Sequence, residues 1–158
     1  MSLADAFAST HFTLEPLAEG VFACIHQAGG AAFSNALIVD LGGRTLVVDA
    51  FDAVPPARDL RRAAEWIFER GVDEVAFTHA HADHWLGAAA FSEDTELWAS
   101  EVTDRAWRRQ VPALVEERKD RRAWEAYRQE TEEALQSAQD ERVRAGLERL
   151  LTRIGYTL

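Results

Sequence analysis

Val75-Ala76-Phe77-Thr78-His79-Ala80-His81-Ala82-Asp83-His84 joins a short apolar run to three histidines and an aspartate. The run Val75-Ala76-Phe77-Thr78 has the length and composition of a buried strand. Alternate side chains of an extended segment project the same way, so His79 and His81 can grip one ion. Asp83 and His84 are adjacent, point elsewhere and can reach a second ion. Imidazole and carboxylate donors suit zinc, and also iron or manganese. The plain alternative is a polar surface loop with no ligand. Four ligand-type side chains within six residues argue for the metal reading.

Working outward, the upstream sequence predicts a hairpin and a helix. Residues 35–41 and 44–50 are apolar and β-branched, and Gly42-Gly43 between them is a two-residue turn signal. Residues 21–27 are predicted as the strand before them. Pro55-Pro56 closes the strand region, since proline suits a first helical turn. Residues 57–70 then form an amphipathic helix with Leu60, Ala64, Ile67 and Phe68 on one stripe and Gly71 as its C-cap. Downstream, residues 85–91 predict a short Ala-rich helix and Glu96–Ala99 another strand.

The texture changes at residue 100. Trp107, Val111, Leu114 and Val115, and later Val143, Leu147, Leu150, Leu151 and Ile154, follow single helical faces. Pro112 is predicted to break the first of these stretches. Ser137-Ala138-Gln139-Asp140 has the spacing of a capping box that would start the last helix. The chain is therefore divided into 1–100, which carries the metal loop, and 101–158, which is helical.

Composition excludes several partners. With 47% apolar and 28% charged residues over 158 positions, the chain is one globular domain in size and can bury a core. Its 27 acids against 17 bases leave a net charge of −10, which repels phosphate backbones and anionic lipid. Neither nucleic acid nor a membrane is expected as a partner. Cys24 is the single cysteine, so an intrachain disulfide is excluded, and the apolar run around it makes it a small core residue. The first six residues lack a basic leader region, and no apolar run is long enough to span a bilayer. The expected location is cytoplasmic. His11, in a loose N-terminal segment, and His26, at a strand end, read as ordinary half-exposed histidines.

Thr78-His79-Ala80-His81-Ala82-Asp83-His84 at the end of an apolar strand resembles the signature of the metallo-β-lactamase superfamily. Ser34-Asn35-Ala36 leading into a strand, Val47-Val48-Asp49 ending the hairpin, and the helix between also resemble that family, over about residues 17–100. The resemblance implies half of an αββα sandwich: an α/β (α+β) fold, mostly antiparallel, with flanking helices and a helical C-terminal segment. It implies two zinc ions, one held by His79 and His81 and the other by Asp83 and His84. Glyoxalase II and related hydrolases use histidine and aspartate in this way. Asp49 resembles the family's strand-end aspartate, which steadies the metal loop; a turn-forming Asp is the plain alternative.

The resemblance further implies a hydrolase acting on a small-molecule ester, thioester, amide or phosphoester through a metal-bound hydroxide, oriented by Asp83 as catalytic residue. The family's second half supplies a third histidine for the first metal, a bridging aspartate and a last histidine. After Ser100 this chain has no histidine, and its aspartates there, Asp104, Asp120 and Asp140, lie in helical surroundings. Residues 101–154 resemble a helical insertion carried by some family members, and Gly155-Tyr156-Thr157-Leu158 reads like the approach to a further strand. The expectation is an apparently truncated, poorly active enzyme. Trp85-Leu86-Gly87-Ala88 replaces the commoner small-residue pair and sets a bulky Trp near the metal. The alternative is a non-catalytic metal-binding half-domain or interaction module, paired with a complementing half or with a second copy as a homo-oligomer, because a half sandwich exposes a sheet face. A third reading folds helices 101–154 back over that face.

Overall fold

The computed structural model describes residues 7–155. Six strands form one sheet in chain order: β1 (Phe12–Ala18), β2 (Val21–His26), β3 (Ala36–Asp40), β4 (Thr45–Val48), β5 (Glu74–Phe77) and β6 (Glu96–Ala99). The first three pairings are antiparallel, and β4–β5 and β5–β6 are parallel. The β3–β4 turn is built as its sequence demands. Gly42 and Gly43 sit at φ 77° and 109°, a region open to glycine at little cost. Asp40 Oδ1 accepts from both of their N–H groups. A parallel β4–β5 pair needs a crossover, which α1 (Val54–Phe68) provides.

The core lies between the sheet and α1. Ile38, Val47 and Val75 from three neighbouring strands are fully buried beneath Ala57, Leu60, Ala63 and Ala64 of α1. Each large aliphatic side chain buried there contributes on the order of 1.5–3 kcal/mol. Period-two alternation sends Leu37, Val48 and Ala76 to the opposite face, where Trp98 joins their row and stands 54% exposed. A shallow groove of about 320 Å³, lined by Leu17, Ile25, Leu37 and Val48 among others, runs along that face. One side of the sheet is thus covered and the other is apolar and open.

Three helices follow: α2 (Glu101–Lys119), α3 (Arg121–Ser137) and α4 (Glu141–Gly155). They do not fold back over the open face. Trp107 of α2 packs edge-on against Phe77, whose side chain shares the α1 side of the sheet, and Ile154 of α4 is fully buried. Ser100 caps α2 by accepting from Thr103 N–H. No helix among the described residues is long and apolar enough to cross a membrane.

The predicted elements mostly recur, with physical differences. β1 is an addition. Phe12 and Leu14 are buried while Thr13 and Glu15 are exposed, but Pro16 reads against a strand. The edge position of β1 tolerates Pro16, because no neighbour waits for its missing N–H. Gly71 is not the cap of α1; Glu69 takes the left-handed position at φ 51° instead. Residues 85–91 form no α-helix but a 3₁₀ turn over Leu86–Ala90. Pro112 lies inside α2 without ending it, on a solvated stretch where water can serve the carbonyl four residues back. Ser137 closes α3, and Asp140 caps α4 by accepting from the N–H groups of Arg142 and Val143. The readings of residues 1–6 and 156–158 lie outside the described residues.

Candidate metal centre

β5 delivers the loop to the end of the sheet, and residues Ala82–His84 close it with one 3₁₀ turn, in which His84 N–H donates to the His81 carbonyl at 3.1 Å. That turn changes the expected direction of His84. His84 does not point away from the first pair: its ring centroid lies 4.1 Å from that of His79, and His79 lies 4.6 Å from His81. An extended loop would send residue 84 to the opposite side, whereas a 3₁₀ turn brings it back. Asp83 stays beside His84, with Oδ2 at 3.5 Å from His84 Nε2. All four side chains singled out from the sequence therefore come together. His81 is the exposed member, and the other three are half-buried.

Asp49 holds the cluster in place. It follows β4 with φ 63°, a left-handed conformation that Asp tolerates better than most residues, and it is buried. Its carboxylate accepts from Thr78 N–H at 2.9 Å, from Thr78 Oγ1 at 2.8 Å and from His84 Nδ1 at 2.7 Å. Engaging Nδ1 fixes the tautomer in which His84 Nε2 carries the lone pair. His79 Nδ1 is likewise engaged, by Thr78 Oγ1 at 2.9 Å. In both rings the nitrogen left for an ion is Nε2.

The backbone of the loop is pinned from three sides. Ser34 Oγ donates to the Asp83 carbonyl, Ala50 N–H to the His84 carbonyl at 2.7 Å, and Trp85 Nε1 to the Ala80 carbonyl at 3.1 Å. Trp85 thus fastens the loop, and its ring packs 5.6 Å from Trp107 of α2. That role was not legible in the sequence, because it depends on α2 arriving alongside. The remaining histidines serve elsewhere. His26 Nδ1 meets Asn35 Oδ1 at 3.0 Å, and His11 Nδ1 accepts from Ala31 N–H at 3.1 Å. Burial holds the His11 imidazole below its usual range, against the opposing pull of Asp59.

Among the described residues, no three His, Cys, Asp or Glu side chains stand ready as one ligand set. The cluster fits a metal in kind: three imidazoles, two of them braced through Nδ1, next to a carboxylate. It falls short in number, since a catalytic zinc keeps about three protein ligands.

The model of the metallo-beta-lactamase superfamily matches residues 29–154. Similar solved structures include the metallo-β-lactamase FIM-1 of Pseudomonas aeruginosa in its mono-zinc form, 22% identical with a TM-score of 0.52 over 61% of this chain and 45% of that one. A metallo-β-lactamase from Hirschia baltica is 20% identical, with a TM-score of 0.56 over 64% of this chain and 48% of its own. Another, from Erythrobacter litoralis, is 24% identical, with a TM-score of 0.53 over 62% and 45%. At these identities the likeness is one of fold. The chain spans less than half the length of each of these structures. No curated protein sequence matches it.

Proposed function

The chain belongs to the metallo-β-lactamase superfamily, and from that premise we propose that it is the metal-loop half of a metal-dependent, dinuclear zinc hydrolase. The observation that carries the reading is the convergence of the His79, His81 and His84 rings, with Nδ1 of His79 and of His84 already engaged by Thr78 and Asp49. In this reading His79 and His81 would hold the first ion through nitrogen, and Asp83 and His84 would hold the second. Iron or manganese would suit the same donors. When bound, the ions acidify water and polarise the carbonyl or phosphoryl group of the substrate. Asp83 would orient the attacking water toward a small-molecule ester, thioester, amide or phosphoester, and Asp49 would keep His84 in register through its Nδ1. The acid excess supports a reading as a cytoplasmic enzyme with no nucleic-acid or membrane partner.

Calorimetric titration with zinc tests the loop. The wild-type chain is expected to bind, and His79→Ala/His81→Ala to lose about 100-fold or more in affinity, since both donors to one ion are gone. Equal binding by the two proteins would sink the proposal.

The remaining ligands come, in this reading, from a complementing half-domain or a second copy seated on the open apolar face of the sheet. A second reading is a non-catalytic metal-binding half-domain, supported by the open apolar face of the sheet. One concentration series separates them. Light scattering should show association as concentration rises, and zinc-dependent thioester turnover should rise with it. A monomer at every concentration would overturn the pairing. Association without turnover above free zinc would favour the non-catalytic module.

A further inference from the structure

The far end of the metal loop borders a separate cavity of about 150 Å³, lined by Asp52, Val54, Pro55, Leu86, Arg118 and Arg153 among others. Its charges do not balance. The Asp52 side chain is fully buried, with Arg153 Nε at 3.1 Å from Oδ2, so this carboxylate and this guanidinium neutralise each other. Neither Asp52 oxygen takes a hydrogen bond of good geometry. Arg118 is the second guanidinium, and it has no ion pair within 4.0 Å among the described residues. Arg118 and Arg153 line the same cavity. Burial and then the charge of Arg153 press the Arg118 guanidinium below its usual range, against the pull of Asp52 and Glu117. Burial also raises the Asp52 carboxyl, against the opposing pull of Arg153.

The start of α1 adds to the excess. No side chain caps the helix, and its first turn holds no acid. Pro55 and Pro56 contribute no N–H and Ala57 N–H bonds the Ala53 carbonyl, so the helix start offers the cavity a single donor, the Val54 N–H in its wall. Two guanidinium groups and a helix start therefore face one buried carboxylate. The volume holds several water-sized groups at about 30 Å³ each, enough for a carboxylate or a tetrahedral oxyanion with some of its water.

We propose that Arg118, Arg153 and the start of α1 form an anion-binding site next to the metal loop, one that takes the carboxylate or oxyanion group of a small molecule. Arg118 makes the primary ion pair. Asp52 sets the strength of the site by opposing the incoming charge. Leu86 in the cavity wall lies two residues from His84, so an anion held here stands beside the proposed chemistry without depending on it.

The test uses metal-stripped full chain, so that zinc cannot hold the anion, at low ionic strength and neutral pH. Acetate and sulfate are titrated separately by amide NMR. Saturable shifts at Val54 and Leu86 are expected with at least one of them, and the preferred ion tells carboxylate from tetrahedral oxyanion. Arg118→Met, at an exposed position that leaves the fold intact, should bind at least tenfold more weakly. Asp52→Asn should bind several-fold more tightly, because it keeps the shape and removes the competing charge; a purely structural Asp52–Arg153 pair predicts the opposite sign. No saturable binding by the wild type, or equal binding by Arg118→Met, would overturn the site.

Discussion

Gly87→Ala is expected to lose about 3 kcal/mol or more of stability, enough to lower the melting temperature by roughly 6–12 °C. A Cβ at residue 87 would stand 2.0 Å from the Ala50 carbonyl oxygen, 2.6 Å from Ala57 Cβ and 2.8 Å from the Ala53 carbonyl oxygen. Two of these neighbours are backbone, so no side-chain rotation relieves the clash. The place matters as much as the size. Gly87 N–H donates to the Phe51 carbonyl at 3.1 Å, three residues after His84, and this contact docks the metal loop onto the start of α1. Pushing residue 87 away also drags on the Asp49–Phe51 segment, where Asp49 and Phe51 already sit at positive φ, 63° and 58°. Gly146→Ala is the control. Nothing lies within 4 Å of a Cβ there, in the middle of α4, so this change should stabilise by about 0.5–1 kcal/mol. Thermal denaturation of both variants decides the matter, and a Gly87→Ala protein that melts with the wild type would mean that the loop is not docked as described.

Asp49→Asn should weaken zinc binding about 10- to 100-fold while leaving all four loop donors in place. The carboxylate receives Thr78 N–H, Thr78 Oγ1 and His84 Nδ1 at once. An amide keeps the shape but offers only one acceptor oxygen, and it turns an N–H group toward one of these donors. His84 then loses the acceptor that keeps its proton on Nδ1. The expected result is a mixed tautomer population in the metal-free protein, read by nitrogen NMR of the imidazole, together with the lower affinity. A fall in stability alone, with tautomer and zinc affinity unchanged, would show that Asp49 serves the β4–α1 turn and not the ligands.

Some parts of the fold were readable from the sequence and others were not. The hairpin at Gly42-Gly43, the crossover helix and the strand ending in Thr78 were legible because each rests on a local signal: a turn pair, a period of 3.6, an apolar run. β1 was hidden because Pro16 forbids a central strand, and only the sheet order makes β1 an edge. Pro112 misled for a similar reason, since its cost depends on whether the orphaned carbonyl meets solvent.

By itself, the sequence determined the cluster of His79, His81, Asp83 and His84, the strand that presents it, and an α/β fold of the metallo-β-lactamase type. Those are matters of residue identity and short-range periodicity, which the chain carries in place. Tertiary structure decided the rest. It turned His84 back onto His79 through a 3₁₀ turn, gave Trp85 a carbonyl to hold, and leaned the helical segment on the α1 side so that one sheet face stays open. It also brought Arg118 and Arg153, from two different helices, to the buried Asp52. Each of these joins residues tens of positions apart, and their meeting depends on how helices pack over a sheet, which no local pattern in the chain encodes.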